Sequence, residues 1–153
     1  MAQKSKKDYI VATALPIFLE NGFKGTSIDM VVKASGVSKP TVYNHFPNKA
    51  ALIDEVMKRW IDDNKPIIMP VKDQVALDGL IRSRWLTDEA IRFYAMVIGE
   101  GWRFPRARQL FWEHFDRMWR KAFNYVSDHS TNFDQAAIDS HLDQQLLDRL
   151  RAQ

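Results

Sequence analysis

Between residues 26 and 48 the chain is punctuated so tightly that few backbones can satisfy it. Thr26 or Ser27 can cap a short helix by accepting hydrogen bonds from its free N–H groups. Ile28, Val31 and Val32 then turn inward, and the helix runs to about Ser35. Gly36 breaks it, because glycine enters the left-handed conformation without steric cost, and Val37 plugs the corner. Ser38 caps a second short helix, Lys39 to about Phe46. Pro40 lies in its first turn, where the missing N–H is harmless and the fixed φ helps. Asn48 caps a longer helix whose periodic face continues through Leu52, Val56 and Arg59/Trp60. Two short helices joined by a glycine turn and braced by longer neighbours predict a helix-turn-helix over about residues 27–46.

The flanking sequence supplies the brace. Residues 8–21 place Ile10, Ala14, Ile17 and Phe18 on one helical stripe, with Asn21-Gly22 as the stop. Pro16 falls inside this helix and costs about 3 kcal/mol if unrelieved, which predicts a kink or loose first turns. After Asn64, Lys65-Pro-Ile-Ile-Met-Pro70 has little helical promise and reads as a joint. Further helices are expected at about 73–84, 88–102, 106–128 and 133–151. In the third of these, Phe111, Phe115, Met118, Ala122 and Val126 form a stripe that Trp112, Trp119 and Phe123 widen, so it must be covered on more than one side. The expected fold is all-α. A three-helix N-terminal head with the helix-turn-helix, residues 4–64, joins through its fourth helix to a helical body, residues 65–153.

Charge follows the same division. Residues 1–60 hold nine Lys/Arg against five Asp/Glu, whereas the rest of the chain is close to neutral within an overall charge of +3. That asymmetry fits a nucleic-acid-binding head on a neutral body, or a merely solvated basic face, and charge alone does not separate them. Uninterrupted apolar runs fall far short of the ~18 residues of a membrane span. The basic start lacks the apolar run of a secretory leader, and cysteine is absent, which together fit a cytoplasmic, reducing setting.

An enzyme is the rival class. The histidines (His45, His114, His129, His141) have no metal-ligand spacing, and no phosphate-cradling glycine loop or nucleophile elbow occurs. The carboxylates are scattered. No catalysis, cofactor or metal is expected.

The run Thr26-Ser-Ile-Asp-Met-Val-Val-Lys-Ala-Ser-Gly-Val-Ser-Lys-Pro-Thr-Val-Tyr-Asn-His-Phe46, followed by Pro-Asn-Lys-Ala-Ala-Leu52, resembles the DNA-binding head of TetR-type transcriptional regulators. The likeness extends back through Ala14-Leu-Pro-Ile-Phe-Leu-Glu-Asn-Gly-Phe23 and covers about residues 6–64. More loosely, Tyr94 through Phe111, with Gly-Glu-Gly-Trp-Arg-Phe-Pro105 at its centre, is similar to a body segment of the family. The resemblance implies a homodimeric repressor in which each head reads half of a palindromic operator and each body binds a small effector. The stretch ending at Gln153 is shorter than a usual member and offers one candidate, about 133–151, for the two long helices that usually form the dimer interface.

A helix the length of 39–46 fits the ~12 Å major groove, with its N-terminal residues at the base edges. Lys39 can donate to guanine or to a phosphate, and Thr41 to a base or phosphate oxygen. Asn44 can pair with adenine, while Tyr43 and His45 suit flanking phosphates. Lys49, at a helix N-terminus, suits another. With the cap and turn residues Thr26, Ser27, Ser38 and Pro40, these make up the expected double-stranded DNA interface. In the body, Trp85, Phe93, Met96, Trp102, Phe111, Phe115, Met118 and Trp119 can line a cavity for a small apolar or aromatic effector, or can simply be core. A DNA-binding or protein-interaction module without an effector site is the alternative. The operator, the effector and the choice between repression and activation are not written in the sequence.

Overall fold

The computed structural model describes residues 5–67, 70–128 and 134–153. Ile68 and Met69 of the expected joint, His129, and Phe133 at the expected start of the last helix lie outside them.

Helix α1, Lys6–Gly25, opens on a reciprocal cap in which Ser5 Oγ accepts from Asp8 N and Asp8 Oδ2 accepts from Ser5 N. It buries Ile10, Val11, Ala14 and Phe18. At Pro16, where a kink or loose first turns were expected, the backbone keeps helical φ/ψ. Pro16 lies on the exposed side, as does Ala12, so water can reach the carbonyl that loses its partner. The break comes instead at Gly22 (φ 76°, ψ 176°), after which one further turn reaches Gly25.

Helix α2, Ile28–Ser35, is capped by Ser27 and not by Thr26. Gly36 takes the left-handed conformation (φ 67°) and returns its N–H to Val32 O. Helix α3, Lys39–His45, starts on the Ser38 cap with Pro40 in its first turn, and α4, Lys49–Asp63, starts on Asn48. Val31, Val42, Phe46 and Leu52 close the core against α1.

Helix α5, Gln74–Leu80, continues into a wide π-turn, Ile81–Trp85. Helix α6, Asp88–Glu100, ends in a 3-10 turn, Gly101–Arg103. Where one helix was expected over 106–128, α7, Pro105–Phe111, passes through a π-turn, Trp112–Asp116, into α8, Arg117–Asp128. The last helix, α9, is Gln135–Arg151.

The π-turns have a reason in the side-chain spacing. Phe111, Phe115, Trp119 and Phe123 are all buried at intervals of four, as are Leu77, Ile81 and Trp85. In an α-helix each i+4 step drifts about 40° around the axis, and a π-turn with its extra residue takes up that drift. The inward stripe therefore runs through Trp119 and Phe123, and Met118, expected inside, is 43% exposed. As expected, this stripe is covered on several sides. Trp60 of α4 lies 4.5 Å from Phe93 and 4.7 Å from Phe115 between ring centroids, and Ile138, Leu142 and Leu146 of α9 complete the core. The buried core is thus continuous from α1 to α9 across residues 64 and 65. The charges of α9 face outward, with Arg120 bonded to Asp143 at 2.7 Å and Arg149 to Asp88 at 2.8 Å. No helix among the described residues is long and apolar enough to cross a membrane.

Candidate nucleic-acid interface

Burial of Val42 and Phe46 fixes which face of α3 points outward. Lys39, Pro40, Tyr43, Asn44 and His45 are exposed on it, and Thr41 is half-buried beside them. Lys39 Nζ sits 3.3 Å from Asp29 of α2 and 5.7 Å from the centroid of the Tyr43 ring. Both partners of the ion pair are well exposed. Pairs of that kind contribute at most about 1 kcal/mol, so the ammonium is readily released to a stronger anion. Ser38 Oγ accepts from Thr41 N and donates to Thr41 Oγ1 at 2.8 Å. The Thr41 hydroxyl keeps its own proton for donation outward. Ser27 is exposed at the start of α2.

Thr26 and Lys49 are placed differently from the rest of the expected set. Thr26 is 1% exposed, and its hydroxyl is directed to Gly22 O at 2.8 Å and Ile17 O at 3.3 Å, so its side chain pins the end of α1. Lys49 is half-buried and donates to Phe23 O at 2.8 Å, with Nζ 5.7 Å from the Phe104 ring centroid. One of its three N–H donors is used there, leaving two.

The expected effector residues are not gathered around one cavity. Trp85, Phe93, Phe111 and Phe115 are fully buried within the aromatic cluster, Met96 is buried, and Trp102 is 66% exposed under the Arg103 guanidinium. A cavity of about 190 Å³ does open beside Trp119, lined by Asn64, Leu80, Arg84, Thr87 and Phe123. A shallower groove of about 470 Å³ runs past Met118 between Lys58, Ile61, Pro66, Leu110 and His114. Both touch the C-terminal end of α4.

Two polar arrangements in the body go beyond local spacing, which offers Asp116 and Arg120 as an i,i+4 pair on a helix face and nothing more. Trp85 Nε1 donates to the Tyr94 hydroxyl (3.0 Å), which donates to Asp116 Oδ1 (2.6 Å), and Arg120 Nε reaches both oxygens of Asp116 at 3.1 Å. Burial, and then the neighbouring Asp116 carboxylate, hold the Tyr94 phenol well above its ordinary pKa. The second is Glu100, at the end of α6, whose Oε2 and Oε1 accept from Phe23 N (3.0 Å) and Lys24 N (2.8 Å) of the head. Only the Gly99-Glu-Gly101 setting marks Glu100 in the sequence.

A capped helix-turn-helix on an all-helical body defines the class, and comparison with known proteins shows what the head is similar to. Residues 10–56 match the model of bacterial regulatory proteins, tetR family, so this part of the head is similar to that family. The biofilm operon icaADBC HTH-type negative transcriptional regulator IcaR of Staphylococcus aureus is 33% identical over 76 residues, 48% of this chain and 41% of IcaR. The uncharacterized HTH-type transcriptional regulator YuxN of Bacillus subtilis is 32% identical over 69 residues, 45% of this chain and 24% of YuxN. The chain thus spans less than half the length of these relatives. Among solved structures, Salmonella enterica GusR superposes with a TM-score of 0.61 at 20% identity, over 95% of this chain and 80% of that one. The flavonoid-responsive regulator FrrA does so with 0.54 at 22%, over 96% of each. These likenesses extend the shared fold to the body.

Proposed function

We propose that this chain is a sequence-specific DNA-binding transcriptional regulator, acting in the cytoplasm as a homodimeric repressor on a palindromic operator. The observation that carries this is the outward face of α3, where Lys39, Thr41, Tyr43, Asn44 and His45 stand together on a helix short enough for the major groove. Lys39 and Asn44 supply base-edge donors, Tyr43 and His45 reach the flanking backbone, and Ser27 and Lys49 add phosphate contacts. That IcaR is a negative regulator favours repression. Division of labour between residues 4–64 and 65–153 is part of the proposal: the first part binds DNA, and the second pairs subunits and senses a small apolar or aromatic effector. The Trp119 cavity and the Met118 groove both border α4, so a ligand seated in either bears on the helix that carries the head. Effector binding then shifts the population toward heads spaced wrongly for the operator.

Packing of Phe93 and Phe115 on Phe111, and of Trp85 on Phe123, favours the second reading, a DNA-binding module without an effector site. The Trp119 cavity, at about 190 Å³, is also below the usual ~300–1,000 Å³ of ligand pockets, which leaves the Met118 groove of about 470 Å³ as the one of the two within that range. The test starts with duplexes enriched from a random pool by the purified protein. The proposal expects a palindromic consensus and loss of its binding in Tyr43→Ala; failure to enrich any sequence removes it. A panel of apolar and aromatic compounds then separates the two readings. Release of the enriched duplex together with a thermal shift supports the sensor, and neither effect supports the module.

A further inference from the structure

Glu100 belongs to the body, yet both of its carboxylate oxygens are spent on the head. Gly22 makes this possible. Its backbone leaves the helical region (φ 76°, ψ 176°), and the N–H groups of Phe23 and Lys24 turn toward the end of α6. Glycine takes the positive φ without strain, and a Cβ there would stand 3.1 Å from Glu100 Oε2 and push the carboxylate aside by a few tenths of an ångström. On the other side of the same residue, Phe23 O accepts from Lys49 Nζ at 2.8 Å. The Phe23 ring meets Phe104 edge-on at 5.5 Å, and Arg92 of α6 donates to Leu19 O at 3.1 Å.

These contacts fall at the two ends of the helix-turn-helix. Phe23 and Lys24 lie a few residues before Ser27, the cap of α2, and Lys49 is the first residue of α4, a few residues after α3. A body carboxylate, one head peptide and the α4 ammonium therefore join the entry and the exit of the reading unit. We infer that Glu100 is the positioning residue through which the body sets the orientation of the reading helix: it touches no DNA and acts through the Phe23–Lys24 turn. The inference assigns head–body coupling to α6 as well as to α4. It rests on the DNA-binding function proposed above.

The test uses the full chain, a duplex enriched by the wild-type protein, and a scrambled duplex of the same length. Glu100→Gln keeps one acceptor oxygen but loses the charge, and Glu100→Ala loses both acceptors. The expected result is weaker binding of the enriched duplex, on the order of tenfold in the alanine variant and less in the glutamine variant. Scrambled-duplex affinity should fall less than enriched-duplex affinity, so that their ratio drops, because, of the phosphate contacts, only Lys49 is tied to the Phe23 carbonyl while Ser27, Tyr43 and His45 are untouched. A merely structural role would lower the melting temperature without changing the ratio of enriched to scrambled affinity in the folded protein, and an unchanged ratio overturns the inference. Hydrogen exchange on the wild-type protein keeps the test independent of how the variants fold. By reciprocity, a junction that favours DNA binding must be favoured by it. The Phe23 and Lys24 amides should therefore exchange more slowly once the enriched duplex is bound, and unchanged exchange there, with α3 protected, overturns the inference. If the wild-type protein enriches no duplex, the DNA-binding function itself fails; if it does and Glu100→Ala keeps its discrimination, the role of Glu100 alone fails.

Discussion

Trp60 is where the continuity of the core can be measured. The side chain is 3% exposed; its ring lies 4.5 Å from Phe93, 4.7 Å from Phe115 and 6.4 Å from Phe111, and Nε1 donates to Glu89 Oε2 at 3.0 Å. Truncation to alanine removes the indole from a site walled by three rigid rings, where neighbours cannot collapse inward, so a loss of about 3–5 kcal/mol is expected. Glu89 lies on an exposed stretch of α6 and regains water when the indole leaves, so the lost hydrogen bond adds little. For a chain of this size about 4 kcal/mol lowers the melting temperature by roughly 8–16 °C. Trp60→Phe keeps most of the ring contact and should cost only about 1–2 kcal/mol. Urea unfolding followed by far-ultraviolet circular dichroism gives both numbers, and the wild-type protein should unfold in a single transition because α4 belongs to one core with the body. A Trp60→Ala loss below about 1 kcal/mol would refute the packing argument, and two separate wild-type transitions would refute the shared core.

The remaining expectations are more local. Tyr43→Ala and Lys39→Ala should weaken binding of an enriched duplex, and where the lost contact is to phosphate the salt slope should fall by about one, read by fluorescence anisotropy across a salt series. Ser38→Ala removes the α3 cap and should cost about 1 kcal/mol in denaturant unfolding. Tyr94→Phe leaves the Trp85 N–H without its buried acceptor and should cost about 1–3 kcal/mol by the same assay. Because the folded Tyr94 pKa lies above its ordinary value of 10.0, the native state holds that proton more tightly than the unfolded chain. Its contribution is complete below pH 10 and is lost as pH rises toward the folded pKa. In an alkaline titration followed by tyrosinate absorbance, one of the four tyrosines should ionise only together with unfolding.

The head was legible because its signals are local. Gly36, the Ser38 cap and Pro40 each fix backbone geometry within a few residues, and α2, α3 and α4 start where those signals place them. Choosing between Thr26 and Ser27 was beyond residue type, since both can cap, and only packing shows Thr26 turned inward. In the body a strict 3.6-residue period selects Met118 and Ala122, whereas the chain inserts a π-turn and buries Trp119 and Phe123. The bulk of four consecutive aromatic side chains at intervals of four outweighs regular hydrogen bonding there. The contact made by Glu100 was invisible for a different reason: its partners lie 76 and 77 residues away, and no local pattern announces a contact of that range.

The central claim, that the outward face of α3 reads DNA, is tested most directly by hydroxyl-radical footprinting on the most enriched duplex. The account predicts two protected half-sites about one helical turn apart or more, related by a palindrome, with both protections lost in Tyr43→Ala. A folded wild-type protein that enriches no sequence, or a footprint that survives Tyr43→Ala, Lys39→Ala and Asn44→Ala alike, would contradict it.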